Sequence, residues 1–471
     1  MPLMEPYRIK VVEPIPITTR EQRVRALERA GYNAFNLRSD EVTIDLLSDS
    51  GTGASSQAQE SAAALADEAY AGSRSWYRFH EVVSELTGFP SILPVHQGRG
   101  AERVLFSTVL NRDLNPRVWE SGGTPLVLSN THFDTTRANV LLAGADPIDL
   151  PCPESRDLDG PFPFKGDIDL GRLEEYLVNE GHRVAFVLMT ITNNGGGGQP
   201  VSMANLAAAA ELCRDHRVPF FLDAARFAEN AWLVIQREPG YAGHTPQQVA
   251  QAAFALADGA VASLKKDGIS AEGAFIGLRD EQLAAYCEAN LIATEGFSTY
   301  GGLAGHELDR LAAGLREVVD PHYLAARADA AAHLARLAND AGVATVQPPG
   351  IHAIYLNAGR LLPHLRPRDF PGHALACQLF IDGGIRCHEL GSLYLGVLDE
   401  NNVVTEPAPY ELVRLALPRR VYTQSHLEYV AEVLAEIAKN PERVPAYRIT
   451  HAPPLLRHFK LRVEPVPPEA S

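Results

Sequence analysis

Long apolar runs are missing from this chain. None reaches the roughly 18 residues that a membrane-spanning helix needs. The first residues, MPLMEPYRIKVVEP, lack the apolar core of a secretory leader, and a cytoplasmic enzyme is the expectation. Cysteine is scarce: Cys152, Cys213, Cys287, Cys377 and Cys387 are scattered, odd in number and contain no C-x-x-C. That argues against a disulfide framework or a zinc site and fits a reducing compartment. Positive charge is in deficit, with 42 Lys+Arg against 58 Asp+Glu and a net charge of −16. Such a chain repels phosphate backbones and anionic lipid, which disfavours nucleic acid or a membrane surface as partner. Internal repeats are absent. What is present is an ordinary globular composition of 471 residues, 46% hydrophobic and 21% charged. At roughly 150 residues per domain, two or three domains are expected.

The middle of the chain has the clearest pattern. Val184 to Ile191 is a continuous apolar run, as in a strand buried on both faces. The glycine-rich turn Asn193 to Gly198 follows, then a helix-forming stretch after Pro200. Val218 to Leu222 is the next buried strand and ends at Asp223. Strand, helix and strand with short links make a βαβ unit, hence an α/β fold with a parallel sheet. From about residue 307 a long helix, broken near Pro321, leads into a smaller α+β layer. The first 45 or so residues, punctuated by proline, look like an arm, and PVPPEAS at the end looks like a frayed tail.

Open α/β sheets bind ligands at the carboxyl ends of their strands. Asp223 follows one buried strand directly, and Arg226 lies one turn later. Lys265 and Lys266 follow VASL, and Asn194 follows VLMTI. Singly, a strand-end aspartate is often a helix N-cap and a Lys-Lys pair is often a solvated turn. Together they suit pyridoxal phosphate (PLP), which needs a Schiff-base lysine and an acid beside its pyridine nitrogen. Lys266 and Asp223 fit those roles, with Arg226 near the ring oxygen. HQGRGAE (96–102) offers glycines, the cation Arg99 and a helix start for a phosphate. Ser263 adds a hydroxyl.

These stretches resemble the β-eliminating lyases that comprise tryptophanase and tyrosine phenol-lyase. The resemblance includes IDLLSDSGTGA (44–54), DEAYAGSRSWY (67–77), HQGRGAE, FDTTRA (133–138), GGQPVSMANL (197–206) and DAARFAENAW (223–232). It continues through SLKKDG (263–268), EGFSTYGGLAG (295–305), ELGS (389–392), ELVRLALPRRVYTQSH (411–426) and LLRHF (455–459). It implies a PLP-dependent enzyme of fold type I, aspartate aminotransferase-like. The domains would be an N-terminal arm and part of the small domain over 1–48, a large PLP-binding domain over 49–310 and a small C-terminal domain over 311–471. It implies Lys266 as the lysine that holds the cofactor and takes the Cα proton, and Phe133 as the aromatic stacked on the ring. Gln97, Gly98, Arg99, Ser263 and Lys265 would hold the phosphate. Arg414 would clamp the substrate carboxylate, helped by Ser48, Ser50 and Asn194. Tyr70 would be the acid that protonates the leaving group, reaching from a neighbouring subunit of a homotetramer. Gly51 and Glu68 match positions near a monovalent-cation (K+) site, whose third contact falls near Ala271.

Three positions bear on the substrate. Asp134 stands where the phenol-lyase has threonine, His458 where it has phenylalanine, and Leu390 where it has the arginine that binds a phenol. A carboxylate with an imidazole stabilises positive charge on an indole ring protonated at C3. A leucine cannot hold a phenol hydroxyl, which disfavours tyrosine. The implied reaction is cleavage of L-tryptophan to indole, pyruvate and ammonium. Tyrosine phenol-lyase and a β-lyase for S-substituted cysteine or serine derivatives stay open, as do structural roles for Asp134, His458 and Leu390. Tyr70 and the FDTTRA segment argue against an aminotransferase. The retained Lys266, Asp223 and Arg414 argue against a mere PLP binder. The chain departs from the family at Ile351, at Ser298, in the extra glycines of NNGGGG, and at His132, where an aromatic is common.

Overall fold

A computed structural model describes residues 4–120, 122–453 and 456–466. The chain divides into two compact units, residues 50–325 and residues 1–49 with 326–471.

The larger unit is built on a seven-stranded sheet. Its order is Ser91–Val95, Ala274–Leu278, Gly259–Ser263, Phe220–Asp223, Val184–Thr190, Leu126–Ser129, Asp146–Asp149. Val184–Thr190 is buried at every position, as its unbroken apolar run dictates. The sheet is parallel except at Ala274–Leu278, which runs antiparallel to both neighbours. A parallel return needs a crossover of about a dozen or more residues. Residues 264–273 are too few for one, so the chain reverses there, and this reversal carries Lys265 and Lys266. Helices cover the sheet. Arg74–Thr87 buries Phe79, Val82, Val83 and Leu86, the spacing of one helical face, and stops at Gly88 with φ of 68°. Phe79 is wholly buried, and its truncation to alanine would cost about 3–5 kcal/mol.

The smaller unit holds an antiparallel sheet ordered His388–Leu390, Leu412–Ala416, Ala353–Asn357, with the helices Pro371–Gly383 and Gln424–Lys439 beside it. The N-terminal segment groups with this smaller unit. Arg20–Arg29 is a helix closed by a Thr19/Gln22 capping box, and Ile44–Asp45 pairs with Ile385–Arg386. The long helix expected from about residue 307, broken near Pro321, is the pair Gly305–Val318 and Pro321–Asp340. Asp320 caps the second, accepting from the backbone N–H groups of His322 and Tyr323 at 2.7 and 3.0 Å. The first packs on Gln57–Ala64 and Arg74–Thr87 and so stays with the larger unit, which runs to Ala325; the sequence-based boundary at 310 falls inside that first helix. Of PVPPEAS, the last five residues lie outside the described residues. Among the described residues, no helix is long and apolar enough to cross a membrane.

Candidate active site

Thr190, Asp223 and Val261 are in register across three neighbouring parallel strands. Ser263 closes the last of these, and the reversal beyond it presents Lys265 and Lys266. A cavity of about 100 Å³ opens at this carboxyl edge. Of the residues singled out from the sequence, Ser50, Gln97, Gly98, Arg99, Phe133, Asn194, Asp223, Arg226, Ser263, Lys265 and Lys266 line it.

One end of the cavity is a donor set. The helix Gly98–Val109 begins after an extended Gln97, and no side chain caps it. A Cβ on Gly98 would sit 2.5 Å from Ser263 Cβ, so glycine is what lets the helix start approach the strand end. The helix start, the Arg99 guanidinium, the Ser263 hydroxyl and Lys265 line the same cavity, a donor set whose chemistry suits an anion. Lys266 Nζ donates to Ser263 Oγ at 2.9 Å.

The other components are acidic or aromatic. Asp223 accepts from the Ala225 N–H at 3.3 Å. Burial pushes its pKa up, against the pull of the Lys266 and Arg226 charges. A cationic group beside it would favour its ionised form. Arg226 is buried and starts the helix Phe227–Arg237, and its carbonyl accepts from Thr192 Oγ1 at 3.3 Å. Asn194 lies in the glycine-rich loop, which is tightly closed. Asn193 and Gln199 bridge its ends, and Gly197 and Gly198 take φ of 82° and 74°. This donor set and this acid fit PLP: an anion cradle, a lysine amine within the same turn, and a carboxyl at the next strand end.

Glu102 also lines the cavity, and sequence reasoning gave it no role. It accepts from Asn139 Nδ2 at 3.0 Å and from Thr136 Oγ1. Burial, helped by the Asp223 charge, raises its pKa to about 7. The available signal was a lone acidic residue among the apolar positions of that helix.

The remaining expected residues of this unit lie outside the cavity lining. Asp134 is the first residue of the helix Asp134–Leu142, with Phe133 at the cap position, and its carboxylate accepts from the Thr135 N–H at 2.5 Å. Tyr70 is 73% exposed and packs on Phe297 and Tyr300, at centroid distances of 5.6 and 5.7 Å. A Cβ on Gly51 would meet Ala271 O at 3.0 Å, so that carbonyl lies beside Gly51. Glu68 accepts from the Gly305 N–H at 2.9 Å. Ser48, Leu390, Arg414 and His458 belong to the smaller unit. There, the buried Arg414 donates to the Leu47 carbonyl at 2.9 Å. Leu390 pairs with Leu412 in the sheet. His458 is buried, with Tyr394 and Phe459 rings at 4.2 and 4.0 Å.

The fold and this cavity define an enzyme of PLP fold type I. Leishmania major threonine aldolase shares the fold, with a TM-score of 0.57 at 14% identity over 84% of this chain and 99% of that one. The beta-eliminating lyase family model matches residues 45–433, and the chain belongs to this family of PLP-dependent lyases. It is 46% identical to a tryptophanase of Hyphomonas neptunium over 98% of this chain and 99% of the relative. It is 41% identical to a tyrosine phenol-lyase of Intrasporangium calvum, over 100% and 97% of the two chains.

Proposed function

We propose that this lyase cleaves L-tryptophan, with one water, to indole, pyruvate and ammonium. The observation that carries the reading is the convergence of Lys266, Asp223, Arg226 and the Gly98–Arg99/Ser263/Lys265 donors on one cavity. When bound, PLP supplies an electron sink for the charge left at the substrate's Cα. Lys266 is the amine that attaches it and the base that takes the Cα proton. Gln97, Gly98, Arg99, Ser263 and Lys265 would hold the phosphate, with Arg99 and Lys265 supplying the positive charge. Asp223 would pair with the pyridine nitrogen and Arg226 with the ring oxygen, and Phe133 would pack on the ring face. By their match to family motifs, we assign Arg414, Ser48, Ser50 and Asn194 to the substrate carboxylate. An arginine fork fixes a carboxylate in both position and angle.

Tyr70 gives its proton to the leaving group. Its 73% exposure in a single chain supports delivery to a second subunit, and a homotetramer with shared sites is our reading. Asp134 and His458 stabilise positive charge on the departing indole, and Leu390 gives a phenol hydroxyl no partner. A K+ ion near Gly51 and Glu68, with the Ala271 carbonyl, would order the same region. We place the enzyme in the cytoplasm, with an amino acid as its small-molecule partner and neither nucleic acid nor membrane.

The test is an assay of the PLP-loaded protein on tryptophan, tyrosine and S-methylcysteine, with and without K+. Indole and pyruvate in equal amounts from tryptophan is the expected result. Phenol from tyrosine at comparable kcat/KM would replace this reading with the phenol-lyase one.

A further inference from the structure

Asp149 ends the strand Asp146–Asp149, in register with Ser129 at the end of the neighbouring strand. Its carboxylate reaches both sides of a single turn. On one side Oδ1 accepts from the His132 backbone N–H at 2.9 Å and from its Nδ1–H at 2.7 Å. On the other side Oδ2 accepts from the Arg137 guanidinium. Between these two anchors lie Phe133, Asp134, Thr135 and Thr136, and of these Phe133 and Thr135 line the cavity.

The His132 ring is wholly buried, and its Nε2 has no hydrogen-bond partner. Burial keeps the ring neutral, with its one N–H spent on Asp149. The ring is therefore held from one side, and that side is Asp149. Burial alone would raise the pKa of Asp149, but His132 and Arg137 together hold it below its ordinary value, so the carboxylate stays a full acceptor. Hydrogen bonds to an ionised acceptor are stronger than neutral ones, and losing the acceptor of a buried donor costs more than the bond itself gains.

We propose that Asp149 is a positioning residue: through His132 and Arg137 it fixes the turn that sets Phe133 against the cofactor ring. The inference rests on the reading of the cavity as a PLP site. Asp149 does not itself line the cavity. His132, which stands where an aromatic is common, makes the link one that a ring without a nitrogen cannot form.

The experiment titrates the apoenzyme with PLP, following visible absorbance and the visible circular dichroism per bound cofactor. Asp149→Ala is expected to raise the apparent Kd about tenfold or more and to diminish the dichroism, because the ring's face is no longer fixed. Arg137→Ala, whose side chain is partly exposed, is expected to shift both in the same direction by a few-fold. Should Asp149→Ala not fold, Arg137→Ala decides. Wild-type Kd and dichroism in Arg137→Ala, with or without the same result in Asp149→Ala, overturn the proposal and leave the cofactor reading standing. A wild-type protein that develops no visible band with PLP overturns both.

Discussion

Lys266 Nζ is tied to Ser263 Oγ across 2.9 Å, one turn apart on the reversal that leaves the sheet. The proposed reactive amine and an anion donor are thus a single unit. Lys266→Ala should abolish the visible absorbance of added PLP; an unchanged spectrum would exclude Lys266 as the attachment point. Ser263→Ala should keep the absorbance but weaken PLP binding. A hydrogen bond to a charged group contributes about 1.5–3 kcal/mol, which corresponds to roughly ten- to a hundredfold in affinity.

Gly98→Ala should be costly although its backbone is ordinary. The added methyl would lie 2.5 Å from Ser263 Cβ and would push the helix start off the strand end. We expect weaker binding of both PLP and inorganic phosphate, with an overpacking cost to stability of about 1–3 kcal/mol. Phosphate protection equal to wild type in a thermal melt would contradict the donor set.

Asp134→Thr should separate substrates. The loss in kcat/KM should be much greater with tryptophan than with S-alkylcysteines, whose leaving groups need no stabilised ring cation. Equal losses on both would make Asp134 a structural residue of its helix start.

A pH effect is expected from the smaller unit. Glu389 Oε2 accepts from the Gly391 N–H at 2.6 Å, and Glu411 Oε1 accepts from the Ser392 N–H at 3.0 Å. Burial, then the charge of Glu411, raises the Glu389 pKa from 4.5 to about 8. A raised folded-state pKa contributes stability that is full below the unfolded value and is lost as pH rises through the folded one. Glu389→Gln, which keeps an acceptor for Gly391, should therefore gain Tm relative to wild type between pH 5 and about 9. Parallel Tm curves over that window would show that Glu389 does not titrate there.

Much of this was legible in the sequence, for identifiable reasons. Val184–Thr190 announces itself because a strand buried on both faces tolerates only apolar residues. Asp223 and Lys266 stand out because a charge directly after such a strand has to be accounted for. The direction of Ala274–Leu278 was not legible: five apolar residues read alike in either sense, and only the short link decides. Glu102 escaped because its neighbours, Asn139 and Thr136, come from another helix. Apart from the adjacent Phe459, the rings around His458 come from Phe35, His388 and Tyr394, distant from it in sequence, so no local pattern predicts them.

The reversal at 264–273 has a consequence for the lysine it carries. Leu264 N donates to Gly273 O, Gly273 N to His96 O, Gly51 N to Lys265 O and Ile269 N to Lys266 O, all within 2.9 Å. Ile269 takes φ of 49°, and a side chain on Gly268 would strike Leu264 O. A longer or bulkier chain would have to break these contacts. The lysine's perch is therefore held by main-chain hydrogen bonds from three separate stretches, at Gly51, His96 and Gly273.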